Sequence, residues 1–445
     1  MNRAQSTSQP PPTAPVITLI GAGSRVFSFG MCTDICQTPA LRGAELRLVD
    51  VDAEKLATMQ RLFERVSDQT GMGLKIGAYT DRRAALPGTA YVILSVAVDR
   101  VNRWERDLTI SRRHGIVELQ GECGGPGGLS LTLRNIPLVL AIARDIEQLA
   151  PDALLLNFTN PMTRVCLALS RYTKVQTVGL CHGLLGIQRL LKRLAGRALR
   201  VEGCGINHFN WVFGAEWADT KTDAWPAVTE AFVSTPSEQL EKWLYTRELF
   251  QLFGRIPAPD DRHIADFVHH WRGPAEGLNA RYATPAKKMG RYREMGAAWE
   301  SRIQRYLAAD ADPMSHVKGL SGEGAIPIIC AVSGLAAPYE EIAVNIPNNG
   351  CIPDLPDHAV VEVPGKISQA GVQGRRMGPL PDALRSLILR QLEIADLAVA
   401  AAVEGDRAKA RAALAVDPIV TELQFPDAYL TDILESHADL LPQFS

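Results

Sequence analysis

A chain of 445 residues exceeds one ordinary domain and leads to an expectation of two. Its 47 Lys and Arg nearly balance 49 Asp and Glu, a formal net charge of -2. That balance argues against nucleic acid or a membrane surface as the main partner, since both call for a basic face, and no run approaches about 20 uninterrupted apolar residues, so no membrane span is expected. Residues 1–14, rich in Ser, Thr, Gln and Pro, are expected to form a disordered tail rather than a signal peptide.

From residue 15 the chain alternates short β-rich runs with helical ones. The expected strands are Val16–Ile20, Glu45–Val51, Leu74–Ala78, Tyr91–Val96, Ala153–Phe158, Val175–Leu180 and the shorter Leu199–Glu202, with helices over Ala53–Val66 and Leu131–Leu149 among them. Runs such as Val92-Ile93-Leu94 are continuously apolar, as in a parallel sheet covered on both faces. The expectation is an α/β fold, with a Rossmann-like doubly wound parallel sheet over 15–205. Beyond it the pattern loosens into strands within Asn207–Trp217, Val344–Gly350 and Val360–Pro364, a helix near Glu238–Phe253 and an Ala-rich helical end over Leu384–Leu414. That reads as an α+β domain over 206–445 for substrate and oligomer contacts.

Gly21-Ala22-Gly23-Ser24 follows the first strand and opens a helix, the context in which small residues admit a pyrophosphate to a helix N-terminus. Val26 stands where a third glycine would complete the fingerprint. Asp50, at the end of the second strand, can accept from both ribose hydroxyls, which favours NAD over NADP; Asp52 is its alternative. Of the eight cysteines, most lie in apolar runs and read as buried thiols of a reducing cytoplasm. Cys181 differs, because His182 follows it, His208 lies downstream, and a strand delivers it to a carboxyl edge of the sheet. A thiolate with an imidazole suits a borderline-soft divalent metal.

The chain resembles the family 4 glycoside hydrolases through Gly21–Ser24, Val49–Asp52, Gly121-Glu122-Cys123-Gly124-Gly125-Pro126-Gly127-Gly128, Asn157-Phe158-Thr159-Asn160-Pro161, Gly179-Leu180-Cys181-His182-Gly183 and Gly205-Ile206-Asn207-His208. The resemblance implies NAD, usually manganese on Cys181 and His208, and a homodimer or homotetramer. It implies hydrolysis by transient oxidation of the sugar at C3, loss of the acidified C2 proton, departure of the aglycone from C1, addition of water and return of the hydride. By the same resemblance Asp107 is the general acid and Asn160 binds sugar hydroxyls. Many members use a tyrosine as the C2 base; here His263 or Asp261 stands in that stretch, and the two remain alternatives. Cys-His-Gly is similar to the α-galacturonidase-like subgroup, whereas phosphosugar enzymes tend to carry Asn after the cysteine. With His182 at the sugar and Arg262 available for a C6 anion, the expected substrate is an anionic hexoside, a uronate or a sulfosugar such as a sulfoquinovoside. A neutral α-galactoside or α-glucoside is the alternative, and a plain NAD-dependent dehydrogenase the alternative of another class.

Overall fold

The computed structural model describes residues 14–268, 284–421 and 424–444. Most of the expected N-terminal tail lies outside the described residues. Six strands begin the fold: β1 (Val16–Ile20), β2 (Glu45–Val49), β3 (Lys75–Tyr79), β4 (Tyr91–Leu94), β5 (Leu154–Asn157) and β6 (Thr177–Gly179). They pair in parallel in the order β3-β2-β1-β4-β5-β6. This is the doubly wound dinucleotide-binding order, whose direction of winding reverses between β1 and β4.

Alternation along the strands explains their unbroken hydrophobicity. Ile17, Leu19, Tyr91 and Ile93 pack on one face, while Ile20, Val92 and Leu94 pack on the other. Each such side chain removed from water contributes about 1.5–3 kcal/mol, so polar residues at either set would weaken the sheet. Helix Gly125–Leu149 covers one face; 78% of its most apolar stretch is buried, which makes it a core helix although its length and hydropathy would also suit a membrane.

The later strands are β7 (Leu199–Ile206), β8 (Phe209–Trp217), β9 (Ile256–Ala258), β10 (Tyr339–Pro347), β11 (Val360–Ser368) and β12 (Gly371–Gly374). They form no sheet of their own. β10 joins β6 antiparallel, and the order continues β10-β11-β7-β8-β9, with β12 on β11. Among the described residues one sheet of 12 strands therefore runs through both halves. Its midpoint, where parallel pairing gives way to antiparallel, lies at β6, the strand that leads to Cys181.

Candidate active site

The turn after β1 is shaped by close approach. Gly21 has φ +93°, and a Cβ there would stand 1.9 Å from the Ser95 carbonyl oxygen. At Gly23 a Cβ would lie 2.7 Å from Asp50 Oδ2, the oxygen that accepts from Gly23 N at 2.8 Å. Ser24 caps helix Arg25–Cys36 with its backbone alone, and the first turn carries no acidic side chain. Its N–H groups therefore face an anion without internal competition. Asp52 is committed elsewhere: it accepts from Lys55 N and pairs with Lys55 Nζ, capping helix Ala53–Thr70. Asp50 is the carboxylate beside the glycine turn. Val51, 92% exposed, extends from the same rim and offers an apolar surface for a planar base.

Cys181 and His208 come together at the other side of β1's neighbours. Cys181 lies two residues past β6, and His208 sits in the two-residue turn between β7 and β8, where Ile206 pairs with Phe209. Such turns demand positive φ, and His208 adopts +62°, a conformation that costs a residue with a Cβ roughly 1–3 kcal/mol. The strain delivers the imidazole to the thiol: Cys181 Sγ and His208 Nε2 are 3.5 Å apart. Two donors on one zinc-like ion lie roughly 3.1–3.6 Å apart, so the pair fits a shared cation. No three His, Cys, Asp or Glu side chains cluster tightly enough to complete a metal site among the described residues, which leaves the remaining positions of such an ion to water or substrate. Burial, and then Glu362, push the Cys181 thiol up to about 12. For His208 burial works downward, but Cys123, Glu122 and Glu362 outweigh it and hold the imidazole up to about 9.

Three loops close around this pair. Helix Gly183–Ala195 begins at His182, whose Nδ1 lies 3.4 Å from Glu323 Oε2 and whose side chain remains 61% exposed. Glu323 raises the pKa of His182 against the opposing effect of burial. The loop after β9 brings His263 against His208, ring centroids 4.4 Å apart. His263 Nδ1 lies 2.7 Å from Asp260 Oδ1, while Asp260 Oδ2 accepts from Arg262 Nη2 at 2.9 Å. Burial and the neighbouring His208 lower the pKa of His263, and Asp260 stands where it would accept from an Nδ1–H, the arrangement that leaves Nε2 as the basic nitrogen. Asn160 follows β5 at the same edge of the sheet; its carbonyl accepts from Asn135 Nδ2 at 2.7 Å, and its side-chain amide makes no hydrogen bond among the described residues.

Two expected site residues are held by structural contacts. Asp107 lies within helix Arg100–Arg113 and is 1% exposed. Its oxygens accept from Arg134 Nη1 at 3.0 Å and Nη2 at 2.6 Å, from Ser130 Oγ at 2.8 Å, and meet His437 Nε2 at 2.8 Å. Burial alone would raise its pKa, but Arg134 and His437 hold the carboxyl below the ordinary range. These contacts favour the charged carboxylate, and Asp107 also lines the cavity bordered by Glu122 and Arg100. Asp261 is likewise tied into the fold. It is fully buried and accepts from Tyr245 N at 3.0 Å, Thr246 N at 2.8 Å and Thr246 Oγ1 at 3.0 Å, which satisfies the start of helix Leu244–Phe253. Arg262, expected to meet a C6 anion, spends one arm of its fork on Asp260.

Several residues of the site escaped the sequence. Asp260 carries no expected role beside Asp261, although the Asp-x-x-His spacing on one helical turn is a signal for its contact with His263. Glu122 accepts from Arg100 Nη2 at 2.9 Å. Burial opposes its charge, but Arg100 and His208 bring it down to about 2. A cavity of about 200 Å³ opens beside Glu122 and Arg100, walled further by Val98, Trp104 and Asn135. Glu323 and Glu362 come from distant segments and carry no local signal.

Residues 16–197 match the description Family 4 glycosyl hydrolase, and residues 203–420 match Family 4 glycosyl hydrolase C-terminal domain. The chain is 31% identical to an alpha-glucosidase of Erwinia rhapontici, over 91% of this chain and 93% of the relative. It is 28% identical to an alpha-galacturonidase of Thermoanaerobacterium saccharolyticum, over 91% of each. Its fold superposes with TM-score 0.84 on a 6-phospho-alpha-glucosidase from gut microorganisms solved with NAD and Mn2+, at 18% identity and covering 97% of this chain and 100% of that one. By sequence over nearly its whole length, the chain belongs to the family 4 glycosyl hydrolases.

Proposed function

We propose that this glycosyl hydrolase cleaves hexosides with NAD at the β1 turn and a divalent cation, Mn2+, at Cys181 and His208, through transient oxidation at C3, loss of the C2 proton and elimination at C1. The observation that carries the reading is the 3.5 Å approach of Cys181 Sγ to His208 Nε2 on the same sheet edge as the glycine turn. When bound, NAD supplies a reversible hydride acceptor, and the cation a Lewis acid that makes the C2 proton of the oxidised sugar removable.

The chain's own residues do the rest. Gly21, Gly23 and Ser24 admit a pyrophosphate to the start of helix Arg25–Cys36, and Asp50 accepts from the adjoining ribose. His263 takes the C2 proton on Nε2, and Asp260, fixed by Arg262, stabilises the imidazolium that results. His182, whose pKa Glu323 raises and which lies on the open side of the pair, is the donor to the departing oxygen in place of Asp107. Asn160 holds sugar hydroxyls with its uncommitted amide.

For the substrate, the Cys181-His182-Gly183 run and the alpha-galacturonidase among the relatives support an anionic hexoside, a uronate before a sulfosugar. A neutral α-glucoside or α-galactoside is the second reading, favoured by two observations: Arg262 is engaged by Asp260, and Glu323 places a carboxylate beside His182. Eight free cysteines support a reducing compartment such as the cytoplasm, and a homodimer or homotetramer is the proposed assembly.

The test is hydrolysis in D2O of aryl α-hexosides that differ only at C6, with NAD, Mn2+ and a thiol reductant. Deuterium at C2 of the released sugar, no net NADH, and preference for the uronide are expected. Cleavage without the label would reject the elimination route, and NADH formed in proportion to product would mark a dehydrogenase.

A further inference from the structure

Three buried carboxylates around the site are paired with cationic side chains. Glu122 has Arg100, Asp107 has Arg134, and Asp260 has Arg262. Glu362, on β11, is 2% exposed and forms no ion pair with Lys, Arg or His among the described residues. Three amides surround it instead. Oε2 accepts from Asn207 Nδ2 at 2.7 Å and Asn345 Nδ2 at 3.0 Å, and Oε1 from Asn210 Nδ2 at 3.2 Å. Asn210 and Asn345 leave their own buried Oδ1 atoms without partners among the described residues to make these bonds. Amide dipoles lower the cost of a buried charge but do not neutralise it, and an uncompensated one is costly to the fold.

The sheet register explains how the group is placed. Gly179 of β6, Asn345 of β10, Glu362 of β11, Gly205 of β7 and Asn210 of β8 stand in one row across five strands. Paired residues share a face of the sheet. Gly205 contributes no side chain, so the Glu362 carboxylate reaches over it to Asn210. One end of the row is two residues from Cys181. The other is the β7–β8 hairpin, whose turn residue Asn207 is bonded to Glu362 and precedes His208. The carboxylate is also close enough to act electrostatically on both Cys181 and His208.

We propose that Glu362 is the buried counter-charge of the Cys181–His208 cation site and, through Asn207, the positioning group of the strained His208 turn. It takes no part in the chemistry of the sugar. A bound cation would place a fixed divalent charge near Glu362, and Glu362 in turn strengthens the site's hold on that ion. The inference rests on the reading of Cys181 and His208 as ligands.

The experiment is Mn2+ titration of the full-length, NAD-saturated protein by calorimetry and by the electron paramagnetic resonance signal of free Mn2+. It compares wild type with Glu362→Gln, Glu362→Asp and Cys181→Ser. Glu362→Gln should weaken Mn2+ binding about 10–100-fold, leave NAD affinity within about twofold, and melt, without metal, no lower than wild type. Glu362→Asp, which keeps the charge, should recover part of the affinity. Mn2+ affinity within about twofold of wild type in Glu362→Gln would overturn the proposal. So would a Glu362→Gln protein that fails to fold or loses NAD, because the carboxylate would then be a keystone of the sheet. Cys181→Ser separates the premises: unchanged Mn2+ binding there removes the metal-site reading itself, whatever Glu362 does.

Discussion

The imidazoles of His208 and His263 meet edge to face, 4.4 Å between centroids and 70° between planes. In the proposed function one ring holds a cation with Cys181, and the other, beside Asp260, is the base. A cation on His208 would add to the burial and repulsion that already lower the His263 pKa, and so favour the unprotonated base. His263→Gln should therefore lower kcat by about 10²–10⁴-fold and slow solvent exchange at C2 equally, with Mn2+ affinity nearly unchanged. Asp260→Asn should give a smaller loss in the same direction. Exchange at C2 that survives His263→Gln would assign the base elsewhere.

Asp107 makes the contrary prediction. Removing it leaves Arg134 buried and uncompensated, a change that typically costs about 3–5 kcal/mol. Asp107→Asn should show that loss in denaturant unfolding, while aryl and alkyl glycosides keep their ratio of rates. Because the folded-state pKa of Asp107 is depressed, its contribution is present above the unfolded carboxylate value and is lost as pH falls through the folded one. The stability gap between wild type and Asp107→Asn should therefore shrink in acid.

The parallel half of the fold was legible because its signals are local. β1 has the same limits in sequence and structure, and β2, β4 and β5 differ only at their ends. Each is a short apolar run bounded by turn residues, a pattern that needs no long-range information. Cys181 and His208 were legible as a pair because strands fix where each is delivered. The surroundings of the carboxylates were less legible. Asp107 and Asp261 carry the same local sequence signal as a catalytic acid or base would, and their contacts with Arg134 and the Thr246 amide appear only on folding. Glu362 and Glu323 were invisible for the same reason. Their meaning lies in pairings between segments far apart in the chain, and an isolated Glu on a strand or loop predicts none of them.

Metal affinity should climb with pH. Without a cation, Cys181 holds its proton up to about 12 and His208 up to about 9. Both protons must leave when an ion binds, so below the His208 value each pH unit should tighten Mn2+ binding roughly tenfold per proton displaced. Calorimetry in two buffers of different ionisation enthalpy should count about two protons released per Mn2+ at pH 7. A count near zero would mean that the ion avoids this pair. Treatment with EDTA should abolish hydrolysis, and added Mn2+ should restore it.

The last prediction concerns Glu323, which reaches His182 from a segment anchored on the cofactor helix. Asp34 of helix Arg25–Cys36 accepts from Ser321 N at 2.7 Å and from Ser321 Oγ at 2.5 Å, and Ser321 Oγ in turn accepts from Glu323 N at 3.2 Å. Glu323 raises the His182 pKa, and an acid catalyst works only while protonated. Activity should thus fall as pH rises through the His182 value. Glu323→Gln removes the raising charge, so that alkaline limb of kcat/KM should move to lower pH with the acid limb unmoved. His182→Ala should slow alkyl glycosides, whose leaving groups need a proton, far more than nitrophenyl ones. If Glu323→Gln leaves the alkaline limb in place, or if both leaving groups lose equally in His182→Ala, His182 is a binding residue and the departing oxygen takes its proton from another source.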